Sequence, residues 1–215
     1  MRTALGALAL AALLAGCVRV PPLDPLPKRR VVLRDVAYTP QEADDDCGVA
    51  CLTTVLRYRG AGLDRATVSA GLKRAASGGV LPLEMLFFAR KNGYHVALDN
   101  ASINALRRRL LQGAPAVLLV HPEPTWLRWL FGGTGHYVVA VGYDDDEREV
   151  VLHTGDDAFD TMSYRTLQLE WGRSNFLAVF VGPRTVEQAG RPGPAGAPDP
   201  PGCPPCALAT PPTSR

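Results

Sequence analysis

Two short segments carry side chains that could do chemistry together. The first, residues 41–52, reads Gln41-Glu-Ala-Asp-Asp-Asp-Cys47-Gly-Val-Ala-Cys51-Leu52. A cysteine in the first turn of a helix faces free backbone N–H groups and the positive end of the helix dipole, and both favour thiolate over thiol. Gly48 beside it would let a substrate backbone come close, and the N–H groups of the helix start could serve as an oxyanion hole. Asp44, Asp45 and Asp46 act the other way, because nearby negative charge raises a thiol pKa. Asp46 is expected to be used as the helix cap and the other two to face solvent. On this segment alone, Cys47 reads equally well as a buried structural cysteine. The second segment, residues 133–144, reads Gly-Thr-Gly-His136-Tyr-Val-Val-Ala-Val-Gly142-Tyr-Asp144. His136 would open a strand directly after a Gly-rich loop, at a sheet edge where its ring can face a cleft. A lone histidine is most often just a partly buried polar residue. The protein holds only four, His95, His121, His136 and His153, so a thiol–imidazole pairing has few candidates.

The elements that must position these groups follow from apolar periodicity. Val31–Val36 is a short strand. A helix runs from Cys47 to about Arg59, with Val49, Leu52, Val55 and Leu56 on one face and Gly60 as its stop. Asp64 caps a second helix to about Ala75. Pro82 sits in the first turn of a third, which ends at Gly93. A strand at Tyr94–Leu98 follows, then a helix opened by Asn100 or Ser102 and ended by Gly113. Ala116–His121, Tyr137–Tyr143, Val150–His153 and Phe176–Val181 are strand-like runs, interrupted by a helix from Ser163 to about Trp171. Helices first, then a set of antiparallel strands, is an α+β layout.

The 215 residues allow one domain with a real core, plus a leader and a tail. With 23 basic and 21 acidic side chains there is no electrostatic footprint for nucleic acid. The sequence starts MRTALGALALAALLAGC, with Arg2 before an apolar run of secretory length, too short for a convincing membrane span. Leu14-Ala15-Gly16-Cys17 resembles a bacterial lipobox. Residues 1–16 are then a lipoprotein signal peptide and Cys17 is the lipidation site. Val18, rather than Asp, after that cysteine implies the periplasmic face of the outer membrane. The lipid would anchor the protein to the bilayer without spanning it. Residues 17–30 are expected to be a Pro-rich tether, residues 31–184 the folded domain, and residues 185–215 a disordered Pro/Gly-rich tail. Cys203 and Cys206 in that tail could form a local disulfide in an oxidising compartment, and no second Cys or His pair lies nearby to complete a zinc site. No metal or other cofactor is expected.

Together the two chemical segments resemble the papain-like, family-39 cysteine peptidases that process bacteriocins with double-glycine leaders. That family carries a pattern of the type Q-x4-D-C-G-x-A-C-L, matched here by Gln41, Asp46, Cys47, Gly48, Ala50, Cys51 and Leu52. Its histidine begins a strand of the type H-Y/F-V-V-V-x-G, matched by His136 to Gly142. The resemblance spans roughly residues 37–182. It implies a papain-like peptidase fold, N-terminal helices packed on an antiparallel sheet. It also implies Cys47 as nucleophile, His136 as general base and Gln41 as oxyanion donor, with Cys51 a core residue.

Two departures from the family matter. Its third residue is an Asp, usually before Pro, at the end of the next strand, whereas here that strand ends Val150-Val-Leu-His-Thr-Gly-Asp-Asp157. Asp156 or Asp157 could orient His136, or both could be solvated turn residues, and His153 is a weaker second imidazole. The other departure is context. There is no spanning segment and no G-x4-G-K-[ST] loop, so no ATP use and no double-glycine leader are carried over. The expectation is a stand-alone, monomeric lipoprotein acting on a peptide or protein of the envelope. The alternative is a catalytically weak or inactive peptide-binding module. Trp126, Trp129 and Phe131 could line a substrate groove, meet the bilayer interface or cover the core. Arg107, Arg108 and Arg109 read as a solvated helix face.

Overall fold

The computed structural model describes residues 19–75, 79–122 and 135–184. The expected sites at Cys17, Trp126, Trp129, Phe131, Cys203 and Cys206 lie outside the described residues. The described residues form seven strands and five helices: β1 (Arg30–Val32), α1 (Cys47–Tyr58), α2 (Arg65–Gly71), α3 (Pro82–Lys91), β2 (Tyr94–Asn100), α4 (Ile103–Leu111), β3 (Ala116–Val120), β4 (His136–Asp144), β5 (Glu149–His153), β6 (Asp160–Ser163), α5 (Tyr164–Gly172) and β7 (Leu177–Arg184). All strand pairs are antiparallel, in the order β2-β7-β3-β4-β5-β6, with β1 also pairing β4.

The sheet has two buried faces, and strand alternation sorts the side chains between them. Val117, Val139, Val141, Val179 and Val181 face one core, against Val49, Leu52 and Val55 of α1, Val68 of α2 and Met85 of α3. Leu118, Val138, Ala140, Ala178 and Phe180 face the other, against Ile103, Leu106 and Leu110 of α4 and Leu167 and Trp171 of α5. The α+β layout with N-terminal helices on an antiparallel sheet is therefore present, and α4 and α5 cover the reverse face as well. Ser102 and Ser163 cap their helices by accepting from the N–H groups of Ala105 and Thr166, and Asp64 caps α2 by accepting from Thr67.

Several expectations are corrected. The second helix stops at Gly71, not Ala75, because Leu72 is already extended. Strand β6 has no signal in the sequence. Its Asp-Thr-Met-Ser run is mostly exposed at the sheet edge and carries no apolar alternation. The described part of the Pro-rich tether is not free. Val20, Leu23 and Leu26 pack on the second core, and Asn104 of α4 donates to the Pro22 carbonyl at 2.8 Å. Arg107 is not solvated. It is 2% exposed and bidentate to Asp145, with a further bond to the Asp24 carbonyl at 3.1 Å.

Candidate active site

Cys47 is the first residue of α1, and its side chain is buried where the helix start meets the start of β4. The expected cap does not form. Asp46 makes no side-chain bond to the helix N–H groups. Its carboxylate is instead drawn into ion pairs with Arg65 and with Arg74, the latter at 2.5 Å, while Asp45 also pairs with Arg74 at 3.0 Å. Glu42 pairs with Arg65 too. Two arginines, from α2 and the segment after it, thus offset part of the acidic run that should oppose a thiolate, with Asp46 held by both. The helix N–H groups near the sulfur are left unused by any side-chain cap.

His136 opens β4, within the sheet between β3 and β5 rather than on an edge strand. Its Nε2 lies 2.6 Å from the Thr154 carbonyl oxygen. A carbonyl can only accept, so Nε2 carries a proton and Nδ1 is the nitrogen left for sulfur. The ring and the Cys47 thiol are neighbours that shift each other's ionisation. Burial pushes the Cys47 thiol up. The bond to His136, the Tyr137 and Gly48 N–H groups and the imidazolium charge outweigh burial, and the thiol stands below its ordinary value. The bond to Cys47 raises the His136 pKa most; burial opposes it, and the Thr154 carbonyl and the charges of Cys47 and Asp156 add to the rise. The two shifts favour a thiolate–imidazolium pair.

The turn after β5 organises both His136 and Gln41. Thr154 N–H donates to the Asp157 carbonyl at 3.0 Å, and Asp157 N–H donates to Thr154 Oγ1 at 3.1 Å. Gly155 between them has φ +100°, a conformation that L side chains rarely adopt. The Gly155 carbonyl accepts from the Gln41 N–H at 3.0 Å, and a Cβ at Gly155 would sit 3.1 Å from Gln41 Oε1. Gln41 Nε2 donates to Asp156 Oδ1 at 3.2 Å. That uses one amide hydrogen and leaves the other available to an oxyanion. Asp156 therefore touches Gln41, not the His136 ring. The orienting position expected of Asp156 or Asp157 is taken by the Thr154 carbonyl, and Asp157 joins the turn through its backbone.

The remaining expected residues divide. Gly48, expected to admit a substrate backbone, is tightly packed on its side-chain side. A Cβ there would lie 2.8 Å from Met85 Cε, 3.2 Å from Val80 Cβ and 3.3 Å from Tyr137 Cδ2, so its missing side chain serves close packing of α1. Cys51 is a core residue, as expected. Its Sγ donates to the Tyr137 carbonyl at 3.3 Å, and burial holds its thiol well above the ordinary value. His153 is a structural group. Its Nδ1 accepts from Phe159 N–H at 3.2 Å, which fixes the proton on Nε2 for donation to the Val36 carbonyl at 3.1 Å. Thr154, Arg65 and Arg74 escape sequence reasoning. A backbone acceptor has no side-chain signature, although the Thr-Gly pair does mark a turn. Leu81, Leu83 and Phe87 expose apolar surface just beyond Val80, which packs on Gly48.

Among the described residues, no helix is long and apolar enough to cross a membrane, and no group of three or more His, Cys, Asp or Glu could hold a metal ion. No curated protein matches the sequence. A crystal structure of a protein from Bacillus anthracis, described as a C39-like peptidase, matches with TM-score 0.63 at 18% identity, over 74% of this protein and 100% of that one. The peptidase domain of Streptococcus ComA, a bi-functional ABC transporter involved in quorum sensing, matches with TM-score 0.52 at 22% identity, over 69% and 99%. Xylellain, a cysteine protease from Xylella fastidiosa, matches with TM-score 0.51 at 13% identity, over 74% and 87%. At these identities the likeness is one of fold. In sequence, the Peptidase_C39 like family matches residues 33–181, nearly the whole folded region, and the protein belongs to that family of papain-like cysteine peptidases.

Proposed function

We propose that the protein is an active cysteine peptidase, exported and lipid-anchored through Cys17 to the periplasmic face of the outer membrane, where it hydrolyses a peptide bond in an envelope peptide or protein. One observation carries the catalytic part: a thiol at a helix start beside an imidazole whose other nitrogen is held by a carbonyl, each group favouring the charged form of the other. Cys47 Sγ attacks the peptide carbonyl carbon while His136 Nδ1 holds the proton. The oxyanion is met by the Cys47 N–H and the free Gln41 Nε2 hydrogen. His136 delivers the proton to the leaving amine, and water then releases the acyl group from sulfur. No cofactor enters any step.

The test is mass spectrometry of a defined peptide mixture after incubation with the protein. We expect fragment pairs whose masses sum to the parent plus one water, absent with Cys47→Ala. Uncleaved but retained peptides would instead support the inactive binding module, and products carrying an added amine would indicate acyl transfer to amines. Anchoring is checked separately. Cys17→Ser should move the protein from the membrane to the soluble fraction, and unchanged fractionation would refute the lipid anchor.

A further inference from the structure

We propose that the cleft at the end of α1 remote from Cys47 is a second binding site, for a carboxylate carried on a small apolar body. The cavity has a volume of about 510 Å³ and is lined by Arg59, His95, Val96, Arg109, Phe180 and Pro183, among others. That volume lies in the range of small-molecule sites, roughly 300–1,000 Å³. Arg59 is the C-cap residue of α1. The helix places it roughly 18 Å from Cys47, at 1.5 Å per residue, so occupancy need not compete with a substrate at the thiol.

Two cations in this cleft lack anions. Arg59 is held in place by its Nε, which donates to the Val181 carbonyl at 2.8 Å. Its two terminal nitrogens are left without a protein acceptor among the described residues. The guanidinium lies over the Tyr58 ring, 5.3 Å from its centroid, and partial burial pushes its pKa down, with no carboxylate beside it. The Arg109 guanidinium lies over the Phe180 ring, 5.0 Å from its centroid, and forms no ion pair among the described residues. No acidic residue lines the cavity. A planar carboxylate suits such forks, because guanidinium can bind it through two parallel bonds.

The opening is built into the sheet. The β2–β7 register shifts between Tyr94 and Val96, and Gly182 packs against His95, where a Cβ would lie 3.3 Å from the His95 Cβ. Such bulges bend a strand and recur beside binding sites. The walls supplied by Val96, Ala97, Ala114, Phe180 and Pro183 are apolar, which favours an anion with a hydrophobic body over bare phosphate.

The test is calorimetric titration of the full-length protein with benzoate, with N-acetylphenylalanine, with inorganic phosphate and with neutral benzamide. We expect benzoate or N-acetylphenylalanine to bind in the millimolar range or tighter, phosphate at least about tenfold weaker, and benzamide not at all. Arg109→Gln, at an exposed position and so safe for folding, should lower the affinity about tenfold or more, and Arg59→Gln likewise. Carbamidomethylation of Cys47 should leave it unchanged. Preference for N-acetylphenylalanine assigns the site to the C-terminal carboxylate of a peptide, and preference for benzoate to a free organic acid; both sustain the proposal. Equal binding of benzamide, indifference to both arginine changes, loss on Cys47 alkylation or no binding at all would overturn it.

Discussion

His136 is held by a peptide carbonyl where the family pattern calls for a carboxylate. The carbonyl still fixes the tautomer, which is the larger part of an orienter's task, but it lends the imidazolium no formal charge. Besides the thiolate, the formal charge that adds to the His136 pKa is that of Asp156, and it acts through space. Its direct contact is Gln41, so its main effect should pass through the oxyanion. We expect Asp156→Ala to lower kcat about tenfold with little change in KM, a fraction of the roughly 10²–10³ that loss of an oxyanion donor costs. Asp156→Asn keeps an acceptor for Gln41 and should recover most of the rate, and Asp157→Ala should be near wild type. Equal losses in all three would mean the turn matters only for folding. Cys47, His136 and Gln41 are legible because each is a side chain with its own chemistry in a recognisable pattern. Thr154 is not, since any residue can present that carbonyl. Gly48 misleads because a missing side chain says that something comes close without saying what.

At the scale of elements, helix starts and faces are mostly readable. Where they are not, a distant charge has intervened. Asp46 stands in cap position but serves Arg65 and Arg74 instead, and an ion pair between segments is invisible to local capping rules. Arg107 is the sharper case. The buried positions of α4 are Ile103, Leu106, Arg107 and Leu110, a regular core stripe with an arginine in it. The periodicity is present in the sequence, but the triple arginine suggests solvent. Its counterion, Asp145, comes from beyond β4 and also accepts from Tyr164 Oη at 2.8 Å. Removing one partner of a buried pair leaves the other charged and dry, at a cost of about 3–5 kcal/mol. Urea denaturation of Arg107→Ala should show a loss of that size, and Arg108→Ala, on the exposed side, under about 1 kcal/mol. Similar small losses for both would mean that Arg107 is solvated after all.

Across the whole molecule, the sheet brings together what the sequence keeps far apart. α1 packs over the start of β4, so the thiol meets the imidazole, and the turn after β5 then closes on both His136 and Gln41. The two-faced core follows from alternation along β3, β7 and β4 as far as Val141, which makes the strands easy to place; beyond the register shift of β4, Tyr143 joins the second core. Their order across the sheet is carried by the family resemblance, not by any single strand.

The central claim is that Cys47 and His136 form a functional ion pair, and the most direct measurement is the rate of Cys47 alkylation by iodoacetamide as a function of pH. The lowered thiol pKa means that thiolate persists to lower pH than for an ordinary cysteine, so the fall in labelling rate should come at lower pH than for a free thiol. In His136→Ala, burial would act unopposed, the curve should move to higher pH, and the rate at neutral pH should drop about tenfold or more. Cys51, buried and raised, is the internal control and should stay unlabelled in both. A Cys47 that labels along an ordinary thiol curve, unmoved by loss of the imidazole, would contradict the account.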